Sequence, residues 1–171
     1  MLLHRLSRLS GCAIMARRAS YLNLERPKVI VVEQNVSAPD SAVRAGQHED
    51  INLITLLIGA SADGLQVLNK QNEWVSVTAL PNHIVVNVGD MLQRLTNGRL
   101  KSTTHRVVNP PKEKWGTSRY SIPFFLHPRS EMRLDCLPDC IPAGEEAQFS
   151  PISAGEYLEE RLIEIGLLKK K

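Results

Sequence analysis

The chain has little cysteine, no long apolar run and no cluster of positive charge in its central region. Three cysteines in 171 residues are too few for a disulfide framework. Cys136 and Cys140 have no second cysteine pair that would complete a four-ligand zinc site. We expect them to be free thiols in a reducing cytoplasm. No apolar run is long enough to cross a bilayer, and the absence of a basic stripe argues against nucleic acid as a partner.

The net charge of +3 is unevenly distributed along the chain. The first 24 residues hold four arginines and no acidic residue, with leucines at helical spacing between them. This composition resembles a mitochondrial transit peptide, although an ordinary amphipathic helix or misannotated coding sequence has the same pattern. We expect a cytoplasmic protein, with mitochondrial localisation as the alternative if residues 1–24 are a transit peptide. The sequence leaves the oligomeric state open, and we favour a monomer.

Short strand-like segments separated by turns make up most of the chain. Turn signals occur at Lys70-Gln71-Asn72 and Thr96-Asn97-Gly98, and residues 91–95 are suited to a short helix. The strand-like segments lie within residues 42–58, 64–78, 83–90, 101–108 and 117–127. Many short strands at regular spacing predict a mainly β fold, either a sandwich or a jelly roll.

Two histidines and one aspartate form a candidate metal site. His48 and Asp50 are two residues apart, so in an extended segment their side chains point the same way. His105 lies far enough along the chain for several strands to return to the same place. Two imidazoles and one carboxylate on one face of an octahedron are the ligand set of non-haem ferrous iron. Taken alone, H-x-D is a short pattern that also occurs by chance.

Arg119 and Ser121 form a second candidate constellation on a later strand-like segment. Their two-residue spacing allows both side chains to face the interior. A guanidinium binds a carboxylate with two parallel hydrogen bonds, and a nearby hydroxyl adds a third. The pair is therefore suited to anchoring the distal carboxylate of an acid held beside the metal. The alternative is a surface arginine next to a core strand.

Four stretches in order, HEDINLITLL, GLQVL, NVGDMLQRLTNGRLKSTTHRVV and RYSIPFF, resemble one known family. They look like the C-terminal half of the isopenicillin N synthase-like oxygenases, within the 2-oxoglutarate and iron(II)-dependent dioxygenase superfamily. The resemblance implies a double-stranded β-helix, a distorted jelly roll, with flanking helices. It implies that His48, Asp50 and His105 bind Fe(II), and that Arg119 and Ser121 bind the 5-carboxylate of 2-oxoglutarate.

The family resemblance also implies the reaction. Such a dioxygenase uses Fe(II), O2 and 2-oxoglutarate, with ascorbate as an additional candidate, to oxidise a small organic substrate and release succinate and CO2. In isopenicillin N synthase itself, the Arg-Ser pair binds the carboxylate of the substrate and no oxoacid is used. Apolar strand residues would wall the pocket, although ordinary core positions are the commoner role. The pocket candidates are Leu57, Val67, Phe124 and Phe125.

The chain departs from the family before His48. Family members have a longer N-terminal region, and residues 21–40 do not match its usual stretch, so Tyr21 inherits no role. We predict a divergent segment over 1–40, with a strand near Pro27–Val32, and the β-helix core over 41–130. The departure leaves two alternatives to an active oxygenase: a truncated, impaired fragment, or a cupin-like metal enzyme that uses no oxoacid.

Residues 131–171 are predicted to form a separate loop and an amphipathic helix. Ser153 and Glu156 have the spacing of a capping box, and Gly166 is suited to ending the helix. We expect one apolar face to pack on the barrel. That face comprises Tyr157, Leu158, Leu162 and Ile165.

Overall fold

The computed structural model contains two antiparallel sheets, few helices and a C-terminal segment packed against one end. It describes residues 22–24, 30–32, 43–58, 64–78, 80, 82–109 and 119–169. The mainly β, jelly-roll prediction is confirmed. Each strand of such a sandwich has one face toward the interior and one toward the outside, so inward and outward side chains alternate along it.

The larger sheet has five strands built around the long strand β9. β4 pairs with both β9 and β7, and β1 and β2 pair with opposite ends of β9. The strands β1 and β2 therefore come from residues 1–40, the segment predicted to precede the β-helix core. The strands are β1 (Leu22–Leu24), β2 (Ile30–Val32), β4 (Ile54–Ile58), β7 (Ile84–Val88) and β9 (Arg119–Pro128).

The smaller sheet has four strands in the order β3-β8-β5-β6. The predicted turn at Lys70-Gln71-Asn72 joins β5 to β6, and Asn72 adopts a left-handed φ of 61°. A register shift in β3 between Ala45 and His48 lies next to the candidate site. The strands are β3 (Val43–His48), β5 (Leu65–Leu68), β6 (Trp74–Ser76) and β8 (His105–Val108).

Among the described residues, two short α-helices flank the sheets. Helix α1 (Asp90–Leu95) ends in the predicted turn, where Asn97 and Gly98 have φ values of 50° and 75°. Helix α2 (Ala154–Glu164) begins with the predicted capping box of Ser153 and Glu156. Gly166 follows its end with φ 78°, as expected for a C-terminal glycine. None of the described helices is long and apolar enough to span a bilayer.

The main buried cluster lies at one end of the sandwich, where α1 meets the C-terminal segment. Met132, Leu134 and Ala154 of that segment are members of the cluster, in agreement with the predicted packing of the tail. Backbone hydrogen bonds run from Leu137 N to Leu95 O and from Leu134 N to Ile152 O.

Tyr157 and Leu158 of α2 pack on the cluster, whereas Ile165 is 55% exposed because the helix ends before it. The buried members are Leu53, Val88, Met91, Leu92, Leu95, Met132, Leu134 and Ala154.

Polar contacts join α1 to α2 beside this cluster. The buried carboxylate of Asp90 accepts a hydrogen bond from the Tyr157 hydroxyl (3.4 Å) and lies 3.8 Å from the guanidinium of Arg161. Burial raises the pKa of Asp90 above its usual range and raises that of Tyr157 to about 12. Arg94 lies over the rings of Phe149 and Tyr157, which further ties α1 to the tail.

Several sequence predictions concern residues outside the described ranges. Residues 1–21, which include Cys12 and Tyr21, lie outside those ranges. The transit-peptide hypothesis therefore stays a prediction. Cys136 and Cys140 are described, and both are free thiols as predicted.

Gly89 allows α1 to contact the loop that follows Asp50. A Cβ at Gly89 would lie 2.8 Å from the Asp50 carbonyl oxygen and closer still to Asn52. We expect Gly89→Ala to lower the free energy of unfolding of the apoprotein by about 1–3 kcal/mol, because overpacking displaces this loop. Gly46→Ala is the control, since no atom lies within 4 Å of the added carbon. Equal denaturant midpoints for the two variants would contradict this expectation.

The capping box of α2 provides a test of how the tail is held. The Ser153 hydroxyl accepts a hydrogen bond from the Glu156 backbone N–H (3.3 Å), and the Glu156 carboxylate accepts one from the Ser153 backbone N–H (2.9 Å). Ser153→Ala should lower the free energy of unfolding by about 1 kcal/mol. The matched substitution Ser150→Ala should change it by less than about 0.5 kcal/mol. Chemical denaturation of both variants makes the comparison.

Candidate metal centre

A cavity of about 150 Å³ lies between the two sheets. Its lining alternates along the strands, as in Leu65 and Val67 on β5 or Val85 and Asn87 on β7, because every second side chain faces the interior. The walls are mainly apolar, and hydrogen bonds join Thr55 and Asn87 to Asp50 of the triad. The lining residues are Ala45, His48, Asp50, Thr55, Leu57, Leu65, Val67, Val85, Asn87, His105, Val107, Ser121, Pro123 and Phe125.

The two histidines of the predicted triad are direct cross-strand partners. His48 ends β3 and His105 begins β8, and their Cα atoms are paired in the register of the smaller sheet. The ring centroids are 4.3 Å apart and the ring planes are inclined by 52°. His105 is the more buried, with a side chain 13% exposed against 46% for His48. The pair therefore forms one wall of the site, with His48 on the open side.

Asp50 brings its carboxylate to both imidazoles. Its Oδ1 lies 3.8 Å from His48 Nε2 and 3.9 Å from His105 Nε2. The ligand atoms of the three residues all lie within 4.8 Å of one another. His48 and Asp50 thus lie together at the site, with His48 at the end of β3 and Asp50 beyond it.

Backbone carbonyl groups orient both imidazole rings. Nδ1 of His48 donates to the Gly46 oxygen (2.8 Å), and Nδ1 of His105 donates to the Thr103 oxygen (2.9 Å). A carbonyl can only accept, so in the neutral rings the proton resides on Nδ1. Nε2 of each ring, which lies 3.8 or 3.9 Å from Asp50 Oδ1, is then unprotonated. This is the tautomer that a metal-binding histidine requires.

The second carboxylate oxygen of Asp50 is held by residues that the sequence analysis did not identify. The Thr55 hydroxyl donates to Oδ2 at 2.5 Å, and the Asn87 amide donates to it at 2.8 Å. Asn52 in turn donates to the Thr55 hydroxyl (2.9 Å). A detectable signal was the polar Asn87 in the otherwise β-branched strand IVVNV, at an inward position two residues after Val85.

The loop after Asp50 is fixed by the start of α1. The backbone N–H groups of Asp90 and Met91 donate to the carbonyl oxygens of Asp50 (2.8 Å) and Asn52 (3.1 Å). These are helix N-terminal groups that have no partner within the helix. Gly89 N donates to Leu53 O at 2.9 Å. The start of α1 therefore holds the backbone of Asp50 and of the loop that follows it.

The predicted carboxylate-binding and pocket residues lie on or near the same cavity. Ser121 is buried and lines it, as do Leu57, Val67 and Phe125. Phe124 is not among the lining residues, because alternation along β9 presents Ser121, Pro123 and Phe125 to the interior, which corrects that assignment. Arg119 lies on β9 two residues before Ser121, and its side chain is outside the described part of the chain.

The donor set fits a transition metal of the non-haem iron type. Two unprotonated imidazole nitrogens and one carboxylate oxygen converge, and imidazole with carboxylate is the 2-His-1-carboxylate set of ferrous oxygenases. The hydrogen bonds on the far sides of all three groups are the supporting contacts that metal ligands normally have. His48, Asp50 and His105 are therefore the residues that would hold the ion.

Comparison with known proteins agrees with this geometry. A 2-oxoglutarate-Fe(II) type oxidoreductase of Emericella nidulans is 43% identical over 114 residues, covering 66% of this chain and 32% of that protein. A solved 2OG-Fe(II) oxygenase family protein of Caulobacter crescentus is 46% identical with a TM-score of 0.71, covering 80% of this chain and 44% of that one. A full-length Neurospora crassa protein solved with alpha-KG is 38% identical with a TM-score of 0.70, covering 79% and 42%.

The similarity spans much of this chain but less than half of each of these relatives. The sequence model of the 2OG-Fe(II) oxygenase superfamily matches residues 22–128, from the start of β1 to the end of β9. The matched range contains the metal-binding candidates, Arg119 and Ser121, and both sheets. The two-sheet fold, the converging triad and this match show that the chain belongs to the 2OG-Fe(II) oxygenase superfamily.

Proposed function

We propose that this chain binds Fe(II) and 2-oxoglutarate and oxidises a small organic substrate with O2, releasing succinate and CO2. The observation that carries the proposal is the convergence of His48, Asp50 and His105 at a mainly apolar cavity. Hydroxylation, desaturation and ring closure are the reaction types in question. Bound ferrous iron supplies the activation of O2 that couples decarboxylation of the oxoacid to substrate oxidation.

The protein residues contribute binding, orientation and exclusion of water. His48 and His105 are fixed in one tautomer, and Asp50 supplies the one negative charge of the ligand set. Three protein ligands leave coordination positions for a chelating oxoacid and for O2. Leu57, Val67 and the other apolar lining residues keep the surroundings dry, which strengthens electrostatic interactions at the metal.

We propose further that Arg119 and Ser121 bind the 5-carboxylate of 2-oxoglutarate. Ser121 is buried at the cavity, and its strand β9 faces the histidine-bearing sheet across the cavity. Arg119 has the two-residue spacing that a strand requires for a shared face. An acid anchored at this strand would extend toward the triad. The family resemblance supports the same assignment.

Anaerobic titration with Fe(II) and then 2-oxoglutarate tests the metal centre. Wild-type protein should develop the weak visible charge-transfer band of an iron–oxoacid chelate, and aerobic turnover should yield succinate. Asp50→Ala should lose the band, because the ligand set then lacks its only anionic group. Asp135→Ala is the matched control, since that exposed carboxylate pairs with Arg133 on the surface.

The possible outcomes of this titration have distinct meanings. A band that survives in Asp50→Ala would contradict the ligand assignment. Iron binding in wild-type protein without any band would contradict use of the oxoacid and favour a substrate carboxylate at Arg119 and Ser121. A wild-type chain that binds no iron would support the impaired fragment.

Arg119→Lys tests the anchoring of the oxoacid separately from the metal. The substitution keeps the charge but removes the two-pronged hydrogen bonding of the guanidinium. We expect the 2-oxoglutarate dissociation constant from the band titration to rise about tenfold or more, equivalent to about 1.4 kcal/mol. Iron affinity should not change. Arg129→Lys, at an exposed position with a surface ion pair, is the control, and unchanged oxoacid affinity in Arg119→Lys would exclude the assigned role.

A further inference from the structure

We propose that Thr55 and Asn87 are positioning residues that restrict Asp50 to one metal-facing oxygen. The inference rests on the metal site of the proposed function and extends it to how the carboxylate binds. Both residues contact Oδ2 of Asp50, while both histidines face Oδ1. The carboxylate thus has one oxygen directed to each sheet.

The register of the larger sheet places the two donors together. Thr55 on β4 and Asn87 on β7 are direct cross-strand partners. They stand opposite the His48 and His105 pair of the smaller sheet, with the Asp50 carboxylate between the two pairs. The two strand pairings therefore place side chains on opposite sides of the same carboxylate.

Hydrogen-bond direction at Thr55 is set by its neighbour. The Thr55 hydroxyl has one proton, and its oxygen already accepts from the Asn52 amide (2.9 Å). The proton is therefore free to point at Asp50 Oδ2, 2.5 Å away. Thr55 is only 4% exposed, so water does not readily replace this donor. The hydroxyl acts as a fixed donor to the carboxylate.

Binding through a single oxygen has a consequence for the metal. A carboxylate that binds through both oxygens occupies two coordination positions, whereas one held through Oδ2 by hydrogen bonds occupies one. Thr55 and Asn87 would thereby keep a position open for the oxoacid or O2. They would also favour the carboxylate orientation in which Oδ1 meets the two Nε2 atoms.

Titration with Co²⁺ alone tests this inference without catalysis. The visible d–d spectrum of bound Co²⁺ gives both affinity and a signature of the coordination shell. Thr55→Val and Asn87→Leu should weaken Co²⁺ binding about 10–100-fold, the usual effect of losing a partner of a metal ligand, and should change the band shape. Thr55→Ser retains the hydroxyl and should restore wild-type affinity to within about threefold, well short of that loss.

Thr96→Val is the matched control for a merely structural effect. Thr96 is also a 4% exposed threonine, and its hydroxyl donates to the Leu92 carbonyl (2.8 Å) away from the triad. It should lower the apoprotein unfolding temperature and leave Co²⁺ affinity and spectrum unchanged. Measuring the unfolding temperature of every variant separates loss of fold from loss of metal. Asn87 is only partly buried, so its variant supplies the test if Thr55→Val does not fold.

Retention of wild-type Co²⁺ affinity and spectrum by Thr55→Val and Asn87→Leu would overturn the positioning role while leaving the metal site intact. Failure of Thr55→Ser to recover the affinity would also overturn it, because the hydroxyl would then not be the relevant group. A wild-type chain that binds no Co²⁺ would overturn the metal site and, with it, this inference. The expected result is selective loss in the two variants that remove a donor to Oδ2.

Discussion

A buried carboxylate between two sheets is the constraint on which the site depends. A charge removed from water is costly unless hydrogen bonds and opposite charges surround it. Asp50 satisfies this need on one side through Thr55 and Asn87, and its other oxygen faces two imidazoles. A cation between these groups would complete the compensation. The same arrangement that makes the carboxylate tolerable in the interior suits it to binding a metal ion.

The helices and the tail stabilise the position of that carboxylate from outside the cavity. The main buried cluster is formed by α1, the loop after Asp50 and the C-terminal segment, at one end of the sheets. Helix α1 donates its first N–H groups to the carbonyl groups of this loop, and Gly89 permits the close approach. Helix α1 therefore contacts both the tail and the loop that follows Asp50. The interior of the sandwich remains available as a cavity.

The sequence predicted most of the local structure and the composition of the triad. Alternating apolar residues, turn residues and the capping box of Ser153 are local signals, and the structure places strands, turns and α2 accordingly. Longer-range features were less accessible. Alternation of side chains along β9 makes Phe125, and not Phe124, a lining residue of the cavity. The amphipathic pattern of the tail predicted a packed face, and Tyr157 and Leu158 pack on the main cluster, but the pattern does not name their partners in α1 and in the loop after Asp50.

What the sequence determined by itself was the set of chemical groups and their local spacing. Two histidines and an aspartate define a ligand set, and the i, i+2 interval between His48 and Asp50 directs both toward one point for reasons of backbone geometry. Only the tertiary structure decided which residues support them. The pairing of His48 with His105 and of Thr55 with Asn87 depends on strand register, because these partners meet through contacts between distant parts of the chain.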